Sequence, residues 1–128
     1  MTLRIVRLGS DRARDEGLRI GTVRRPPRGV PKSAYASQNL YDVWFPNLAP
    51  SPELLAQAKD AGTARDWSGF VKRFRAEMDS PEARRTLDLL AALSHHANFS
   101  VGCYCAEESR CHRSILRDLL TERGANIL

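Results

Sequence analysis

The stretch Phe99-Ser100-Val101-Gly102-Cys103-Tyr104-Cys105-Ala106-Glu107-Glu108-Ser109-Arg110-Cys111-His112-Arg113-Ser114-Ile115-Leu116-Arg117-Asp118-Leu119-Leu120 decides the fold. Phe99 to Cys105 alternate in face and read as a buried strand, with Phe99, Val101 and Cys103 on one side. Ala106 to Arg110 form a polar loop. From about Cys111 to Arg123 the apolar Ile115, Leu116, Leu119 and Leu120 recur at helical spacing, and Gly124 supplies a stop. A strand that passes through a short loop into a helix is half of a parallel α/β unit.

Upstream segments agree. Leu3 to Leu8 read as a first strand leaving through Gly9-Ser10-Asp11, and Leu18 to Val23 as a second. Arg24 to Lys32 hold three prolines, a glycine and four cations, and are expected as a stiff basic loop. Tyr41 to Phe45 suit a short extended piece ended by Pro46. Ser51-Pro52-Glu53 and Ser80-Pro81-Glu82 repeat one helix-start signal: a serine N-cap, proline in the first turn, and an acid near the positive end. The first helix is expected to reach about Ala61-Gly62. Trp67, Phe70, Val71, Phe74 and Met78 mark the core face of a second, starting near Asp66. Leu87, Leu90, Ala91 and Leu93 mark that of a third, ending near His95 to Asn98. Ala125 to Leu128 suit a short last strand. The expectation is α/β: a single compact domain over 1–128, with a small, mostly parallel sheet flanked by helices.

The 128 residues give room for one domain, and no apolar run approaches the about 18 residues that span a bilayer. No membrane association and no secretory leader are expected, because Met1-Thr2-Leu3 opens straight into a strand. Three cysteines in one short region are not a disulfide framework and point to a reduced, cytoplasmic protein. Residues 1–32 carry nine Lys/Arg against Asp11, Asp15 and Glu16. Such a face is either simply solvated or a footprint for a nucleotide or nucleic acid.

The last strand-to-helix junction is the place for chemistry. Ligands of open α/β sheets sit off the carboxyl ends of strands, beside helix N-termini that attract anions and thiolates. Cys111 and Cys105 are the candidate nucleophiles, His112 and Glu107 the candidate proton carriers. Arg110, Arg113, Arg24 and Arg28 are the candidate anion clamp. Cys105 divides between packing and site, Cys111 between helix cap and site, and Cys103 reads as a core hydrophobe. The spacing of a tyrosine-phosphatase loop, cysteine then five residues then arginine, is absent: Cys105 precedes Arg110 by four intervening residues and Cys103 by six. A lone Cys-x4-Arg, as in rhodanese-type loops, is unspecific. No metal site is expected, because residues i and i+2 of a strand stand about 6.6 Å apart, whereas sulfurs sharing zinc lie about 3.8 Å apart. The residues name no cofactor and leave the oligomeric state open. The competing reading is a non-enzymatic nucleic-acid-binding or regulatory module with structural cysteines.

Cys105-x-Glu107, three residues, then Cys111-His112-Arg113 resembles the signature of the domain-of-unknown-function 488 family. Tyr41 to Ser51 resemble that family's block before its first central helix. Trp67-Ser68-Gly69-Phe70 and Phe74-Arg75-Ala76-Glu77-Met78 are similar to the next helix of its YeaO-like branch. That branch carries Asp-Arg-Leu-Trp-Pro-Arg-Gly after its second strand. Val23 to Gly29 match it at Arg24, Pro27, Arg28 and Gly29 but lack the Asp and Trp, so a role resting on that acid does not carry over. The resemblance implies a compact α/β domain with a pocket at these residues, and no particular reaction.

Overall fold

Four strands, β1 (Leu3–Arg7), β2 (Leu18–Gly21), β3 (Val43–Trp44) and β4 (Phe99–Cys103), form one sheet in the order β1-β4-β2-β3. The computed structural model describes residues 1–58 and 62–128. Every strand pair is parallel, with Ile5 opposite Val101 and Val101 opposite Ile20. The α/β fold expected from the alternating strands and helices is the fold observed. The last strand to enter the sheet, β4, is therefore its centre, and all five of its residues are buried.

Side chains of α1 (Pro52–Ala58), α2 (Ala64–Glu77), α3 (Pro81–Leu93) and α4 (His112–Glu122) pack on the face carrying Leu3, Ile5, Ile20, Phe99 and Val101. The starts of the first three have a local cause. Ser51 Oγ accepts from Leu54 N, Thr63 Oγ1 from Asp66 N and Ser80 Oγ from Ala83 N, satisfying otherwise orphaned amides. Trp67, Phe70 and Phe74 stack in series along α2. Gly124, at φ +79°, ends α4 as expected.

The opposite face is covered by loops. Arg19 and Ser100 point into it and close on Glu16: Arg19 Nε donates to Glu16 Oε2 at 2.7 Å, and Ser100 Oγ to the same oxygen at 2.7 Å. Gly17, at φ +78°, lets that loop pass so close to Asn98 that a Cβ would lie 2.0 Å from its carbonyl oxygen.

Several boundaries differ from expectation. The second helix begins at Ala64, two residues before Asp66, because Thr63 caps it. Leu93 is 39 % exposed, since the inward stripe of α3 runs Ala83, Leu87, Leu90, Ala91 and on to Ser94. Ser94 is buried because its Oγ donates to Ala91 O and accepts from Asn126 N. Only Val43 and Trp44 pair from the Tyr41–Phe45 segment, and the last expected strand is a single bridge, Leu3 to Ile127. The expected end of the first helix at Ala61 lies outside the described residues. Among the described residues, no helix is long and apolar enough to cross a membrane.

Candidate functional site

The carboxyl end of β4 and the start of α4 meet over a second, smaller apolar cluster: Leu8, Val23, Tyr41, Cys103 and Cys111. The strand stops at Cys103, two residues short of the expected end, and the chain bends at Tyr104. That bend brings Cys105 Sγ to 3.8 Å from Cys103 Sγ. The i, i+2 separation expected of a continuing strand is thus corrected, and with it the geometric objection to the two sulfurs sharing a centre. Gly102 is not the hinge. It lies inside β4, where a Cβ would sit 2.7 Å from Val6 O.

The bend is held from α4. Arg113, buried, donates from Nη2 to Cys105 O at 2.7 Å and to Ala106 O at 3.4 Å, while its Nε is buried without a partner. Cys111 occupies the N-cap position of α4, and His112 is its first residue. His112 is buried edge-on to Phe74 and bonds through Nε2 to Thr22 O at 2.7 Å. A carbonyl only accepts, so Nε2 carries the proton and Nδ1 presents its lone pair. Nδ1 lies 3.8 Å from Cys111 Sγ. The donor atoms of Cys103, Cys111 and His112 all fall within 4.8 Å of one another.

Of the three thiols, Cys103 and Cys111 are buried and Cys105 is exposed. Hydrogen bonding to the Cys103 and Cys111 thiols pulls Cys105 far below the ordinary thiol range against the effect of burial, and the positive charge of Arg113 helps. Cys103 is pushed up to about 11, first by its hydrogen bond to Cys105. Cys111 is raised, by hydrogen bonds to Cys103 and Cys105 and then by burial. Burial lowers His112 to about 4, so near neutral pH its ring is uncharged and lends Cys105 no cation.

Two cavities meet at this cluster. One, of about 530 Å³, is lined by Val23, the Arg24–Arg28 segment, Pro50, Leu55, Tyr104 and the Cys103, Cys105 and His112 side, and its wall is mostly apolar. The other, of about 360 Å³, is bordered by Trp67, Phe70, Arg110, Cys105, Cys111 and His112. Cys105 and His112 border both.

The structure brings Cys105, Cys111, His112 and Arg113 together, but it uses the arginines unequally. Arg113 is spent on backbone carbonyls, and so is Arg24, which donates to Pro50 O and Ala49 O at 2.9 Å each. Arg28 is exposed at the first cavity, and Arg110 is exposed over the Trp67 ring at 5.8 Å in the second. Glu107 is exposed in the loop. The basic N-terminal face is also partly consumed. Arg4 pairs with Asp15, Arg12 with Asp42 and Arg19 with Glu16, while Arg7 reaches Tyr104 O.

Sequence reasoning counts Cys103 with Cys105, Cys111 and His112 as four possible soft ligands but sets it aside as a core hydrophobe on strand geometry, and it misses Thr22 as the carbonyl that orients His112 and Arg25 at the cavity wall. The alternation that marks Cys103 as buried says nothing of its contact with Cys105, and the Thr22 carbonyl carries no side-chain signal at all. Arg25 was legible only as one of four cations in a loop.

The family model for DUF488-N3a, described as the active DUF488-N3 subclade, matches residues 3–124. The chain belongs to the DUF488 family. The match covers every strand and helix described here, and it shows the family that the Cys-x-Glu and Cys-His-Arg motifs had suggested. The YeaO-like branch is a finer placement than the subclade match. No curated protein and no solved structure matches the chain.

Proposed function

We propose that this DUF488 member is a thiol-dependent enzyme whose reacting group is Cys105, acting on a small phosphate-bearing ligand of the nucleotide class. One observation carries the reading: Cys105 is the exposed thiol of the three, and it borders both cavities. The buried Cys103 thiol donates towards it at 3.8 Å, and the Cys103 and Cys111 thiols together hold it low, an arrangement suited to stabilising a thiolate. The description of the matching subclade as active accords with this.

The ligand class follows from the first cavity. Val23, Pro26, Pro27, Pro50 and Leu55 offer an apolar wall for a planar body, and the exposed Arg25 and Arg28 offer an anion clamp. Glu107, exposed two positions after Cys105, is the proton carrier we favour. His112 is less suited, because its Nε2 is committed to Thr22 and its Nδ1 faces Cys111. A nucleotide is favoured over a nucleic acid because so many of the N-terminal arginines are paired internally. A reducing cytoplasm suits three free thiols at this spacing.

The test is iodoacetamide labelling at one fixed pH, with each cysteine quantified by mass spectrometry, in the presence of 5′-nucleotides, nucleosides or inorganic phosphate. Cys105 should label about tenfold or more faster than Cys103 and Cys111, and nucleotides should protect it better than nucleosides. Uniformly slow labelling of all three sinks the thiol reading. Protection by nothing that carries phosphate sinks the ligand class.

A further inference from the structure

Two cysteines and a histidine, Cys103, Cys111 and His112, cluster here, with the third cysteine, Cys105, in contact with Cys103, and they come from three different chain segments. Cys103 comes from the end of β4, Cys105 from the bend, and Cys111 and His112 from the cap and first turn of α4. We propose that this cluster is a soft-metal site of the zinc class, with Cys103, Cys111 and His112 as buried ligands and Cys105 as the fourth. It rests on the reading above only for the role of Cys105.

The distances carry it. Four ligands around tetrahedral zinc, with Zn–S near 2.3 Å and Zn–N near 2.0 Å, stand about 3.5–3.8 Å from one another. Cys103 Sγ to Cys105 Sγ is 3.8 Å, and Cys111 Sγ to His112 Nδ1 is 3.8 Å. These are two opposite edges of such a tetrahedron. The donor atoms of Cys103, Cys111 and His112 are mutually within 4.8 Å, so closing these three onto one ion needs movements of about 1 Å. Cys105 stands outside that group and joins it through its 3.8 Å contact with Cys103 Sγ, from an exposed bend.

The histidine is oriented as a ligand should be. Its Nε2–H is anchored on Thr22 O, which leaves Nδ1 free to donate its lone pair, the usual outer-shell arrangement for a metal-binding imidazole. Three sulfurs and one imidazole nitrogen are a donor set that favours zinc over magnesium or calcium.

Occupancy would also define what Cys105 presents. Binding the ion displaces the thiol protons to solvent, and all three sulfurs become thiolates. Cys105 is the exposed one, so its metal-held sulfur is the one that a molecule in either cavity can touch. Cys103 and Cys111 then position the ion from the interior.

The experiment titrates cobalt(II), then zinc(II), into the fully reduced, metal-stripped full chain. One equivalent of cobalt should give the intense visible bands of four-coordinate cobalt together with thiolate-to-cobalt charge transfer, and zinc should bleach both. In Cys105→Ser, which alters an exposed side chain, the charge-transfer intensity should fall by roughly a third as three sulfur ligands become two. Circular dichroism should stay unchanged. In Cys111→Ser, folding is checked in the same way before the titration is read.

Wild-type protein that is folded and reduced but gives no charge-transfer band overturns the site. So does a band that Cys105→Ser and Cys111→Ser both leave intact. The two readings fail separately. Selective, nucleotide-protected labelling of Cys105 without any cobalt band retires the metal and keeps the thiol. A stoichiometric cobalt band with no selective labelling of metal-free Cys105 does the reverse.

Discussion

The guanidinium of Arg19 and the carboxylate of Glu16 form a closed pair on the loop-covered face of the sheet, with Nε to Oε2 at 2.7 Å and Nη2 to Oε1 at 2.9 Å. Both side chains are buried. Arg19 also donates to Ser10 O and Asn39 O, so it ties two long loops to the second strand. A pair this dry need not stabilise the fold relative to apolar residues, but removing one partner strands the other charge. Glu16→Gln should therefore cost about 3–5 kcal/mol, and the double variant Glu16→Leu/Arg19→Met much less than the sum of the two single changes. Urea unfolding of wild type, Glu16→Leu, Arg19→Met and the double variant closes the cycle, and simple additivity would show that the pair is not coupled.

The same carboxylate sets an acid limit. Burial alone would raise Glu16, but hydrogen bonds from Arg19 and Ser100 and the charge of Arg19 outweigh it and hold the group below its ordinary value. The unfolded chain then takes up this proton first as pH falls. The contribution is complete above the unfolded value of about 4.3 and is lost as pH drops through the lower folded value. The stability gap between wild type and Glu16→Gln should be constant from neutral pH down to about 5 and shrink below that. A gap that widens in acid would contradict the assigned direction.

Arg113 makes a counter-intuitive prediction. It is buried, it holds the Cys105 carbonyl at 2.7 Å, and its Nε has no partner. Arg113→Lys keeps a buried charge but loses the planar guanidinium whose Nη2 is fixed between Cys105 O and Ala106 O. Arg113→Met removes the charge and keeps the stem. The methionine variant should be the more stable of the two, by about 1–3 kcal/mol. Both should exchange amide hydrogens faster at residues 104–107. Lysine proving the better substitute would mean that the charge, not the placement of Nη2 by the planar group, holds the bend.

Gly102 tests how tightly the central strand is threaded. A Cβ there would lie 2.7 Å from Val6 O and 2.8 Å from Leu8 Cδ2, and its own carbonyl already accepts from Thr22 N and Thr22 Oγ1. Backbone on one side and a bonded neighbour on the other leave nowhere to yield. Gly102→Ala should cost about 1–3 kcal/mol, measured by thermal or urea unfolding. A neutral substitution would mean that the first and fourth strands separate more readily than their register implies.

Much of this architecture was legible in the sequence because the periodic signals are strong there. The stripe Trp67, Phe70, Phe74 and Met78, the repeated Ser-Pro-Glu starts, and the passage from Phe99 to Leu120 each obey one local rule that the tertiary structure then confirms. The site was legible in membership but not in shape. Alternation along Phe99 to Cys105 predicts a continuing strand, and nothing local announces that Arg113, eight residues on, pulls the Cys105 carbonyl out of it. The Glu16–Arg19 pair was hidden for a related reason. An arginine in an alternating strand reads as solvent-facing, and only the loop from Leu8 to Gly17 folding over the sheet makes that face an interior.

Arg24 offers the last prediction, because it converts a residue expected to clamp anions into one that shapes the cavity. Its Nε and Nη2 donate to Pro50 O and Ala49 O, so the proline-rich segment is strapped to the turn before the first helix. Trp44 Nε1 on Val23 O holds the neighbouring residue from the other side. Cutting the strap in Arg24→Ala should cost about 1–3 kcal/mol and speed amide exchange at residues 24–28 and 49–51. It should also raise the rate of Cys105 alkylation, since Arg24 and Pro50 wall the cavity that Cys105 borders. If Arg24 instead served only as a ligand contact, the apo protein's exchange and alkylation would be unchanged, and the variant's effect would appear only with a phosphate-bearing compound present.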